Sequence, residues 1–254
     1  MIGNTLTSPL LDQHLAGFAD TSPPWTLART LGYVAIVGLV FTAAQLVGMG
    51  LALVATLVID PGLNVDRWMH QLRSDGLYTS VASFSTTLIC VPLIVSLVAR
   101  REPDPWKFLG VVPASPRVTF FWVLRLMAFL AIAGWISVAL GRPSNPYMLD
   151  LYSSADPALL FVAIVVAAPV LEEFFFRGFI PSALESSGIP PVAAAVASSL
   201  LWSGMHVQYN LYDIGVIFLM GLVIAAARRR TGSLVPCFVM HAFVNALVFT
   251  RAAS

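Results

Sequence analysis

Two adjacent carboxylates, Glu172 and Glu173, precede a lone guanidinium in the run Leu171-Glu172-Glu173-Phe174-Phe175-Phe176-Arg177. Further along, His206 closes Trp202-Ser203-Gly204-Met205-His206, and His241 and Asn245 stand four apart. A carboxylate can take a proton from water, and an imidazole can accept or donate one near neutral pH. An amide cannot titrate, but its N–H can donate to an oxyanion as one develops in acyl transfer. These residue types together suit water-dependent cleavage of an acyl bond.

Helical spacing divides the work. Each helical residue turns by about 100°, so Glu173 and Arg177 share a face and can pair, whereas Glu172 points about 100° away. Glu173 and Arg177 then neutralise one another and Glu172 is left for chemistry. The plainer alternative is that all three form a buried polar clamp, since structural ion pairs also occur in bundles. His206 and His241 have a plain alternative too, as hydrogen-bonding partners between helices. Two histidines and a carboxylate pair on three different helices shift the balance toward a site.

The elements that carry these residues belong in a membrane. Of 254 residues 58% are hydrophobic and 11% charged, where a soluble domain has about 25% charged. Apolar runs at 31–58, 80–99, 118–140, 157–184, 191–207, 211–227 and 234–250 each approach the roughly 20 residues that cross the hydrocarbon core, the fifth and sixth being short. The expected fold is therefore all-α, a polytopic bundle of about seven spans. A charged group at the centre of such a span costs about 2.5–3.5 kcal/mol on insertion scales, so Glu172, Glu173 and Arg177 must face the bundle interior or a wet cavity.

The chain divides into a polar segment, 1–30, without the basic start and short apolar core of a signal peptide, motif-free spans over 31–156, and the motif-bearing helices of 157–254. Arg100, Arg101, Lys107 and Arg117 lie between spans two and three and Arg228, Arg229 and Arg230 follow span six. The positive-inside rule puts both loops, and with them the N-terminus, in the cytoplasm. A formal net charge of +1 gives no support to nucleic-acid binding. Cys90 and Cys237 lie in apolar runs, which argues against a structural disulfide.

The order Glu-Glu-x-x-x-Arg, aromatic-x-x-x-His, His-x-x-x-Asn on successive late helices resembles the CPBP family of CAAX-processing and bacteriocin-processing proteases, also called Abi proteins, over roughly residues 157 to 250. Trp202 stands where phenylalanine is common. The resemblance implies an intramembrane endopeptidase acting on a membrane-associated protein or peptide, prenylated or not, at a bacterial inner membrane. It implies that Glu172 and His206 activate water, that His241 and Asn245 hold the oxyanion, and that Glu173 and Arg177 support them. Metal use stays open at this stage. Glu172, His206 and His241 are zinc-ligand types and the family has been described as metalloproteases, yet no His-Glu-x-x-His occurs and a glutamate-activated water needs no metal.

Rival readings are weaker. A rhomboid-like serine site at Ser203-Gly204 lacks Gly-x-Ser-Gly, and a Cys237–His241 dyad competes with ordinary packing of a small cysteine. A proton-coupled transporter also keeps carboxylates and histidines at mid-membrane, but the two halves show no repeat. A silent immunity or assembly protein of the same fold has no need of the full polar set.

Overall fold

The computed structural model describes residues 25–142 and 147–252, except the side chains of residues 70, 71 and 73. All regular structure among these residues is helical. Among the described residues six helices are long and apolar enough to cross a membrane: α1 (Leu27–Ile59), α3 (Gly76–Ala99), α5 (Pro116–Ala139), α7 (Pro157–Ser186), α9 (Leu211–Thr231) and α10 (Val235–Ala252). Shorter helices are α2 (Val65–Gln71), α4 (Pro105–Leu109), α6 (Tyr147–Ser153) and α8 (Pro191–Gly204). The polar segment 1–30 lies outside the described residues as far as residue 24.

The polytopic bundle expected from composition is present, with one correction. The fifth apolar run does not form a span to residue 207: α8 has 14 residues, about 21 Å at 1.5 Å per residue, against about 30 Å of hydrocarbon. It begins at the Pro190-Pro191 pair and stops at Gly204, leaving His206 in the following turn.

Local chemistry sets the other ends. Asp75, Asp156 and Asn210 cap α3, α7 and α9, each side chain accepting backbone N–H groups of the first turn. Pro116, Pro157 and Pro191 open their helices at positions where a missing N–H costs nothing. Gly232, at φ 67°, ends α9 in the left-handed conformation.

Helix α7 is the most buried span and packs against α3, α8 and α10, while α1 lies along α3. Gly48 allows that last approach, since a Cβ there would sit 3.1 Å from the Cα of Ala82. Small residues let membrane helices touch through their backbones in this way.

Helix α7 is not α-helical throughout. Two π-helical segments, Val162–Ala167 and Phe174–Phe179, flank the α-helical turn Ala168–Glu173. Their N–H groups reach back five residues, as Ala168 does to Ala163 and Ile180 to Phe175. The next residue in each case is proline, Pro169 and Pro181, which has no N–H to give. The carbonyls five back, Ile164 and Phe176, thus lose their intrahelical donors, and a side chain from another helix serves each. Asn245 Nδ2 donates to Ile164 O at 2.7 Å, and Ser198 Oγ to Phe176 O at 2.5 Å. Thr87 of α3 donates to the Ala167 carbonyl at 2.8 Å.

The basic loops meet at one end of the bundle. The Leu234 N–H donates to Gly110 O at 2.8 Å, and the Ser233 hydroxyl donates to Val112 O. At the other end Gly76 N donates to Ser154 Oγ at 2.8 Å and Arg142 Nη2 to Asn210 Oδ1 at 2.6 Å.

Candidate active site

The α-helical turn between the two π segments presents both glutamates, in different surroundings. Glu173 is 1% exposed, and its Oε1 accepts from Arg177 Nη1 at 3.1 Å and from His241 Nδ1 at 2.7 Å. The pairing expected from the four-residue spacing is thus present, with a histidine from α10 added. Glu172, with its side chain 27% exposed, accepts from Trp202 Nε1 and lies 3.9 Å from His241 Nε2.

Trp202 joins the parts. Its ring is 1% exposed, the Arg177 guanidinium carbon lies 4.0 Å from its centroid, and the rings of His206 and His241 meet it edge-on at 5.2 and 5.3 Å. The cation over the indole face and the N–H given to Glu172 use both the quadrupole and the polar edge of tryptophan.

Simple counting puts His206 closer to the outer face than Glu172 and His241, a mismatch that a tilted or extended fifth span would remove. The early end of α8 removes it instead: past Gly204 the chain turns, and His206 Nδ1 donates back to Trp202 O at 2.9 Å. With Nδ1–H committed to a carbonyl, a neutral His206 offers Nε2 as a proton acceptor. Glu173 holds His241 through Nδ1 and so aims its Nε2 at Glu172. A carboxylate behind an imidazole sets its tautomer and orientation.

Tyr209 stacks on His206 with centroids 6.2 Å apart and meets Tyr147 edge-on at 5.8 Å. Burial first, then the neighbouring Tyr147, Asp213 and Glu172, push its phenol up to about 12, so it stays a neutral hydroxyl at ordinary pH.

Glu172, Glu173, Arg177 and His241 are in direct contact, and His206 joins them through Trp202. Asn245, one turn beyond His241, is tied to the Ile164 carbonyl and keeps one amide N–H uncommitted to that bond. Among the described residues no group of three His, Cys, Asp or Glu side chains is placed to hold a metal ion. The Nδ1 atoms of the two histidines are engaged, on Glu173 and on the Trp202 carbonyl, and the two Nε2 atoms are left for chemistry. Cys237 is fully buried and its sulfur faces the carbonyls of Ile224 and Ser233 at 3.6 and 3.8 Å, the contacts of a packing residue.

Sequence spacing did not reveal the Glu173–His241 bond, the indole donor to Glu172 or the π segments. Trp202 carried the only signal, as an aromatic residue one turn before His206.

The fold and site define a multi-pass membrane protein with a carboxylate–histidine cluster inside its bundle. The family description type II CAAX prenyl endopeptidase, Rce1-like, matches residues 154–247. An uncharacterised 24.3 kDa protein of Escherichia coli is 32% identical over 161 residues, covering 61% of this chain and 73% of that relative. The chain belongs to this Rce1-like family of CAAX-type proteases, in agreement with the CPBP/Abi resemblance of its motifs. No solved structure matches it.

Proposed function

We propose that this protein is an intramembrane endopeptidase that hydrolyses a peptide bond of a membrane-associated protein or peptide, prenylated or not, with a water activated by Glu172 and His206. The observation that carries the reading is the asymmetry of the carboxylates: Glu173 is sealed at 1% exposure between Arg177 and His241, while Glu172 is open at 27%. A general base must reach the proton it takes, and of the two only Glu172 offers an accessible oxygen.

In this reading a water oxygen adds to the scissile carbonyl carbon as its proton passes to Glu172, with His206 Nε2 accepting from the same water. The oxygen of the tetrahedral adduct takes its hydrogen bonds from His241 Nε2, in the imidazolium form, and from the second amide N–H of Asn245. Collapse re-forms the carbonyl and breaks the C–N bond, and the proton held on Glu172 goes to the leaving nitrogen. A carboxylate base needs no metal for this. Glu173, backed by Arg177, holds His241 in place. The substrate enters from the bilayer of a bacterial inner membrane, with the basic loops and N-terminus cytoplasmic.

The test uses purified protein in lipid vesicles against a panel of prenylated and unprenylated membrane peptides. Cleavage by the native chain and none by Glu172→Gln is the expected result. Proton-linked flux with no cleavage of any peptide would replace the protease reading by a transporter.

A further inference from the structure

At the end of the bundle that carries the basic loops lies a polar site that the proposed hydrolysis does not use. A cavity of about 300 Å³ opens between α7, α8 and α9, lined among others by Arg177, Ser182, Glu185, Ala195, Arg228 and Arg229. Three guanidinium groups thus face one carboxylate. Arg177 is 1% exposed, yet its Nη2 has no hydrogen-bond partner, and the buried Nε of Arg228 has none either. Buried donors left unmade are expensive, and both arginines line this cavity, so an acceptor bound there would relieve them. Among the described residues no carboxylate lies within ion-pair distance of Arg228 or Arg229.

We propose that this cavity binds a phosphate anion, carried by a phospholipid headgroup or free in solution. Guanidinium forks match phosphate oxygens in plane and spacing, and are less strongly hydrated than ammonium groups. The volume is at the small end of ligand pockets, about 300–1,000 Å³, which suits a headgroup better than an acyl chain. Its place at the arginine-rich end of α9 is the level at which basic pockets between membrane helices meet lipid headgroups. The wall is built for this. Gly110, at φ 83°, lies so close to Arg228 that a Cβ would fall 2.4 Å from the guanidinium carbon. That contact fixes the Arg228 side chain on the cavity wall. On the far side Arg177 Nη1 is spent on Glu173, so the same guanidinium closes the floor of this cavity and the back of the Glu173–His241 pair.

The full chain, delipidated in detergent, is titrated with phosphatidylglycerol, phosphatidylcholine or inorganic phosphate, read by native mass spectrometry and thermal shift. The expected result is preferential binding of phosphatidylglycerol. Arg229→Gln and the cavity-filling Ala195→Leu weaken it about tenfold or more, the usual effect of losing a charge-assisted contact. Glu185→Gln, which removes the one carboxylate, tightens it, a gain that a misfolded variant does not give. Inorganic phosphate that reproduces the shift and displaces the lipid identifies a soluble phosphate as the natural source. Lipid binding untouched by inorganic phosphate identifies the headgroup. Equal binding of both lipids, unchanged in all three variants, overturns the proposal. So does a variant effect confined to the KM of peptides with a free C-terminus, which would make the cavity a subsite for the substrate carboxylate.

Discussion

Glu172 and Glu173 are neighbours in the chain and opposites in circumstance, and this difference yields the sharpest expectations. Glu172→Gln should abolish cleavage and leave the protein folded, because it neutralises a carboxylate that is part-exposed. Glu173→Gln strands the Arg177 cation inside the bundle, and breaking a buried pair from one side costs about 3–5 kcal/mol. Parallel measurements of thermal unfolding and cleavage separate the two, and equal loss of folded protein in both would contradict the division. Asn245→Ala should lower kcat by about 10²–10³-fold, the effect of removing one oxyanion donor, with KM little changed because that charge develops only in the transition state. It also frees the Ile164 carbonyl, so unfolding must be measured beside the rate. A fall in stability with kcat intact would confine Asn245 to holding α10 against α7.

At the scale of the element, α7 pairs each π segment with a proline, and each pairing requires a donor from another helix. Ser198→Ala should destabilise the fold by about 1–3 kcal/mol by leaving the Phe176 carbonyl buried without a partner. Pro181→Ala restores the N–H that this carbonyl lacks, so the double variant should lose less than the sum of the singles. A thermal-unfolding cycle that came out additive would break the link between Pro181 and Ser198. This arrangement also marks how far the sequence could be read. Apolar runs and the Glu173–Arg177 pairing were legible because they depend on composition and short spacing. The π segments were not: Val162–Ala167 is apolar on every face and Phe174–Phe179 carries a single charge, Arg177, so a change of helical period leaves no trace in the hydrophobic pattern. The contacts of His241 and Trp202 across helices are likewise invisible to spacing within one helix. The end of α8 was misplaced because 191–207 reads as one apolar run, while Gly204 and the turn after it stop the helix.

For the whole molecule, the two basic loops are tied together at one end, and 60–79, 147–156 and 205–210, with Arg142, gather at the other. The positive-inside rule then makes one labelling pattern the expected one. Cysteines at Lys107 and Arg229 should react with an impermeant reagent from the cytoplasmic side only, and one at Asp66 from the opposite side only. Native Cys90 and Cys237 are buried and give little background. The reverse pattern would invert the molecule and the side from which substrate arrives. The central claim, that Glu172 serves peptide-bond hydrolysis, is tested most directly by comparing peptide termini in membranes that hold equal amounts of native protein or Glu172→Gln. New termini from membrane-associated proteins should be present with the native chain and absent with the variant. Identical termini in the two membranes, with both proteins folded, would contradict it.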